Sequence, residues 1–154
     1  MLFINRVCQS LEQHRVRYAI VGGYAVALHG AVRGTMDVDI VINWELPSLL
    51  KTEKALQKIQ LVSRLPVSAE DVFRFRDEYV RNRNLIAWNF YHPADVSQQV
   101  DIIITYDLKG ISRIRRHSEE GIIQVLGLEE LIAMKKESGR PQDLEDIKAL
   151  EKLR

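Results

Sequence analysis

Residues 18–42, YAIVGGYAVALHGAVRGTMDVDIVI, constrain this chain more than any other stretch. An apolar run ends at Gly22-Gly23, thirteen residues intervene, and Asp37 and Asp39 then bracket a single valine. Alternate residues of a strand share a face, so a strand over residues 37–43 holds the two carboxyls roughly 7 Å apart on one side. A third carboxylate, Asp101, sits in QVDIIIT, where Val100 and Ile102 to Ile104 predict burial. A buried carboxylate is costly unless it is paired or metal-bound. Three acids on two strands form an all-oxygen donor set suited to a hard divalent cation. The plainer alternative leaves Asp37 at a strand edge, Asp39 in solvent and Asp101 in an isolated ion pair.

Gly22 and Gly23 fall between a predicted strand, residues 18–21, and a predicted helix, residues 24–29. Missing side chains there let backbone N–H groups approach a phosphate at the helix N-terminus, although a tight turn alone explains the same residues. Arg33 and Thr35 precede the acidic strand and could contact a phosphate or shape the loop. Near the C-terminus, Leu128, Leu131 and Ile132 define one helical face, and Lys135 falls within it. An inward ammonium needs an anion. A triphosphate is one partner; Asp143, expected on the inner face of the last helix with Leu144, Ile147 and Leu150, is the other. Asp146 is expected to be structural.

The remaining pattern predicts an amphipathic helix over residues 2–15 and a helix opened by Pro47 and running to about Ile59. Strands are expected over 85–91, 99–105 and 121–126, with residues 94–98 as a hairpin connection. Two helices, 128–137 and 141–153, are separated by Ser138-Gly139. Residues 60–84 resist assignment. Within them Arg74, Arg76, Arg81 and Arg83 are interleaved with Phe73, Phe75 and Tyr79. That pattern suits either single-stranded RNA bound by stacking and charge, or a strand with one charged face. Arg113, Arg115 and Arg116 form a second cluster open to the same two readings.

At 154 residues the chain is one domain, 1–154, of α/β class: a small mixed sheet with helices packed against it. Its net charge of +1 supplies no global field that selects nucleic acid. Cys8 is the only cysteine, which excludes an internal disulfide and suits a core position in a cytoplasmic protein. Its longest uncharged stretch is shorter than a membrane span. His14, His29, His92 and His117 lack metal-ligand spacing.

The glycine pair, the string Arg33-Gly34-Thr35-Met36-Asp37-Val38-Asp39, Asp101 in VDIII, and the tail GLEELIAMKKESGRPQDLEDIKAL occur in that order. Together they resemble the nucleotidyltransferase superfamily related to DNA polymerase β, and within it the minimal nucleotidyltransferases and the AbiEii-type toxin group. The resemblance covers residues 18–150. It implies transfer of a nucleoside monophosphate from an NTP to a hydroxyl acceptor on RNA or a tRNA end, a protein side chain or a small molecule. It further implies two Mg²⁺ ions, or Mn²⁺ in their place, on Asp37, Asp39 and Asp101. Gly22, Gly23, Arg33, Thr35 and Lys135 would then contact the nucleotide. A homodimer or a cognate antitoxin would be the partner. A different class of function, a nucleotide-binding regulatory or antitoxin-like protein without catalysis, is the competing expectation.

Overall fold

The computed structural model describes residues 1–30 and 37–154. Arg33 and Thr35 therefore lie outside the described residues. The elements run α1 (Phe3–Gln13), β1 (Tyr18–Val21), α2 (Gly22–Leu28), β2 (Val38–Ile42), α3 (Leu46–Lys58) and β3 (Val62–Ser63). They continue with α4 (Ala69–Arg74), α5 (Arg76–Arg83), β4 (Ala87–His92), β5 (Asp95–Ile103), β6 (Arg113–Ser118), β7 (Gly121–Leu126), α6 (Leu128–Ser138) and α7 (Pro141–Glu151).

One mixed sheet has the order β3-β4-β5-β2-β1-β7-β6. β2 is antiparallel to β1 and parallel to β5, while β1 is parallel to β7. β1 lies near the middle, which is why all four of its residues are buried and its sequence shows no alternation. Residues 38–40 of β2 and 100–103 of β5 alternate. Val38, Ile40, Val100 and Ile102 enter the core, whereas Asp39 and Asp101 point to the opposite face and are only half-buried. On the core side Leu11 and Val7 of α1 and Leu49 and Leu56 of α3 complete the packing, with Trp88 and Phe90 of β4 in contact at 4.6 Å between ring centroids.

Local signals account for most boundaries. Pro47 lies in the first turn of α3, where its missing N–H costs nothing. Gly139 caps α6 at φ 65°, a left-handed conformation that favours glycine. Asp143 sits at the third position of α7 and accepts the Arg140 backbone N–H.

Five expectations need correction. Residues 72–79 form the end of α4, a turn at Phe75 and the start of α5, not a strand: Ser68 and Asp71 form a capping box that starts α4, turning Ala69 and Val72 inward. The arginines of that region are thereby placed on two short helices. β6, which carries Arg113, Arg115 and Arg116, has no counterpart among the predicted strands; it is the sheet's edge, mostly exposed, so burial imposes no alternation. The hairpin between β4 and β5 is tighter than residues 94–98, because β5 already begins at Asp95. Leu144 is 53% exposed, and the inner face of α7 is instead Asp143, Asp146, Ile147 and Leu150. Finally, α2 starts at Gly22 itself, so the glycines form its first turn.

Candidate functional site

The sheet register brings two of the three acids together. Asp39 on β2 stands beside Asp101 on β5 in a parallel pair, and Val21 of β1 stands on the other side of Asp39. Burial, then the charges of Asp101 and Asp37, push the Asp39 carboxyl up to about 7, against an ordinary 3.8. Asp37 lies exposed just before β2; its charge is felt at Asp39. Among the described residues no three ligating side chains form a ready-made metal cage.

The position of Gly22 explains why the turn must be glycine. It adopts φ +69°, and a Cβ built there would collide with Asp39 Oδ2. The α2 backbone thus presses directly on Asp39, with no room for a side chain between them.

Asp39 borders a cleft of about 470 Å³ between the sheet and the two C-terminal helices. Gly22, Asp39, Lys135, Arg140 and Asp143 line its polar end, and Ile103 and Met134 contribute to its apolar wall. Lys135 is inward as its helical position predicts, at 7% exposure. Its Nζ lies 2.9 Å from Asp146 Oδ2 and 3.5 Å from Asp143 Oδ1. Burial alone would raise the Asp143 carboxyl, but hydrogen bonds from Arg140 and Ser138 outweigh it and hold it down at about 2. Both Asp143 and Asp146 are therefore ion partners of Lys135, and Lys135 still borders the cleft close enough to act electrostatically on Asp39.

Asn89 and Arg64 are neighbours of the site that residue type and spacing did not mark. Asn89 Nδ2 donates to Asp101 Oδ1 at 2.8 Å, and Arg64 Nε donates to Asn89 Oδ1 at 2.8 Å. The only signal was an asparagine alternating with the buried Trp88 and Phe90, which puts it on the same sheet face as the acids.

The donor set fits a hard divalent cation. The charge of Asp101 beside the half-buried Asp39 is a repulsion that a cation would relieve, and magnesium commonly uses one or two carboxylates, completing its shell with water and substrate phosphates. Among the described residues no helix is long and apolar enough to cross a membrane.

No protein-family model and no curated protein matches the sequence. Solved structures do. An antigenic nucleotidyltransferase-like protein from Paracoccidioides brasiliensis superposes with a TM-score of 0.60 at 19% identity, over 96% of this chain and 72% of that one. The lincosamide antibiotic adenylyltransferase LnuA, lincomycin-bound, gives 0.56 at 18% identity, over 94% and 91%. ANT(2")-Ia in complex with adenylyl-2"-tobramycin gives 0.55 at 12% identity, over 97% and 90%. The chain has the nucleotidyltransferase fold.

Proposed function

We propose that this protein is a metal-dependent nucleotidyltransferase that moves a nucleoside monophosphate from an NTP to a hydroxyl acceptor. One observation carries the reading: Asp39 and Asp101 stand side by side in the sheet, and Asp39 is pressed against the backbone of Gly22 at the mouth of a cleft that also holds Lys135 and Arg140. In the reaction the acceptor oxygen attacks the α-phosphorus, the bond to the bridging oxygen of the β-phosphate breaks, and pyrophosphate leaves. Asp39 and Asp101, with Asp37, would hold the Mg²⁺ ions, which neutralise charge on the entering and leaving oxygens. Asp101 takes the proton of the acceptor hydroxyl. Gly22 and Gly23 offer backbone N–H groups to the phosphates, and Lys135 and Arg140 supply positive charge at the cleft. Arg33 and Thr35, close in sequence to Asp37, complete the nucleotide-binding set.

The fold neighbours LnuA and ANT(2")-Ia are described with lincomycin and with adenylyl-tobramycin, both compact molecules. We therefore favour a small hydroxylated acceptor over RNA or protein. The AbiEii-type toxin reading stands on sequence motifs and would require an RNA or protein acceptor. The test is to incubate the protein with each α-labelled NTP, Mg²⁺ and a cell extract, and to separate small molecules, RNA and protein. Label in the small-molecule fraction that disappears with Asp39→Asn supports the proposal. Label in RNA or protein transfers the toxin reading to first place. NTP binding without any transfer would leave a nucleotide-binding regulatory protein.

A further inference from the structure

A row of side chains crosses the sheet at the level of the acidic pair. Asp39 of β2 stands beside Asp101 of β5, and Asp101 beside Asn89 of β4. Arg64, one residue past β3, extends the row: its backbone N–H donates to the Asn89 carbonyl at 2.9 Å. Its side chain then folds back, with the guanidinium carbon 4.5 Å from the centre of the Tyr91 ring and Nε donating to Asn89 Oδ1.

The chemistry of this chain of contacts fixes a direction. A guanidinium has donors and no acceptor, so the group facing it must be the Asn89 oxygen. The Asn89 amide nitrogen is then turned the other way, toward Asp101 Oδ1 at 2.8 Å and Gln99 Oε1 at 3.2 Å. A carboxyl torsion is broad and nearly two-fold, so an Asp101 without such a donor would sample many angles. With it, one oxygen is committed sideways.

We propose that Asn89 is the positioning residue for Asp101, engaging Oδ1 so that Oδ2 is presented to the metal and the acceptor hydroxyl, and that Arg64 locks the Asn89 amide in the orientation this requires. The inference rests on the nucleotidyltransferase reading above, since only there does the aim of Asp101 matter. Groups that orient a metal ligand from behind commonly change metal affinity by ten- to a hundredfold when removed.

The test uses Mn²⁺ as the probe, titrated into the metal-free full chain and followed by the paramagnetic resonance of the free ion. Melting temperature is read in parallel in the presence of chelator. Asn89→Leu should weaken Mn²⁺ binding about tenfold or more. Arg64→Leu should weaken it too, because the amide can turn over. Arg64→Gln should restore it: glutamine Nε2 stands the same number of bonds from Cα as arginine Nε, so the hydrogen bond returns without the charge. Wild-type affinity in both Asn89→Leu and Arg64→Leu would overturn the proposal. So would an Arg64→Gln variant as weak as Arg64→Leu, since charge and not orientation would then be the cause. Should Asn89→Leu fail to fold, the exposed Arg64 pair carries the test alone. A wild-type protein that does not bind Mn²⁺ refutes the metal-dependent reading itself, which distinguishes that failure from this one.

Discussion

Replacing Asp39 by asparagine should make the metal-free protein more stable above neutral pH while abolishing nucleotidyl transfer. The Asp39 carboxyl is raised from 3.8 to about 7 by burial first, and next by the charges of Asp101 and Asp37. A folded-state value above the unfolded one means that the native chain holds the proton more tightly. The stabilisation is fully present below about pH 4 and is lost as the pH rises toward 7. Above that, the folded protein carries an ionised carboxylate that it would rather protonate. One unit corresponds to about 1.4 kcal/mol, so a shift of roughly three gives a ceiling of about 4 kcal/mol. Asp39 is only half-buried and water screens part of the effect, so about 2 kcal/mol is the working figure. For a domain of this size that corresponds to roughly 4–8 °C in melting temperature. The assay is thermal unfolding of wild type and Asp39→Asn in chelator at several pH values between 4 and 8. The two curves should nearly coincide at pH 4, where both side chains are neutral, and separate in favour of the variant as the pH rises. Added Mg²⁺ should then stabilise the wild type and leave the variant unmoved. An Asp39→Asn protein that melts below wild type at pH 8 without metal would refute the reasoning, because it would mean that the ionised Asp39 is already compensated by the fold.

Gly22→Ala should destabilise the chain by about 1–3 kcal/mol, since the new methyl collides with Asp39 Oδ2 in a left-handed backbone conformation; denaturant unfolding measures it. Lys135→Met should cost about 3 kcal/mol or more by removing an ammonium from between the buried Asp143 and Asp146. A variant that instead unfolds normally and loses NTP affinity would assign Lys135 mainly to phosphate. Burial pushes the Cys8 thiol up to about 12, so at pH 8 a thiol reagent should label the native protein far more slowly than the denatured one, a difference read by mass spectrometry.

The parts of this fold that could be read from the sequence are those where local chemistry and tertiary context agree. The interior strand β1, where Tyr18, Ala19, Ile20 and Val21 are all enclosed, announces itself as an unbroken apolar run before Gly22. Asp39 and Asp101 were legible for the opposite reason: carboxylates inside such runs conflict with the hydrophobic pattern, and a conflict of that kind is where function is expected. Residues 60–84 were not legible because α4 and α5 have six and eight residues, too few turns for a helical period to outweigh the accidental alternation of Phe73, Arg74, Phe75 and Arg76. Packing decided instead, stacking Phe73 on Trp44 at 6.2 Å and placing Arg76 over the same indole at 4.5 Å. That use of Arg76 also weakens the case for an RNA-binding track, since its guanidinium is engaged on Trp44 and its Nε donates to the Ile104 carbonyl at 2.6 Å. The hardest information to extract was register. Nothing in the composition of β4 says that Asn89 pairs across the ladder with Asp101, and Tyr91 with Gln99; the tight turn at Pro93 and the shift between Tyr91 and His92 accompany that alignment. A slip of one residue would have turned Asn89 into the core and left Asp101 without its donor, so the geometry of the acidic site depends on a hairpin several residues away from it.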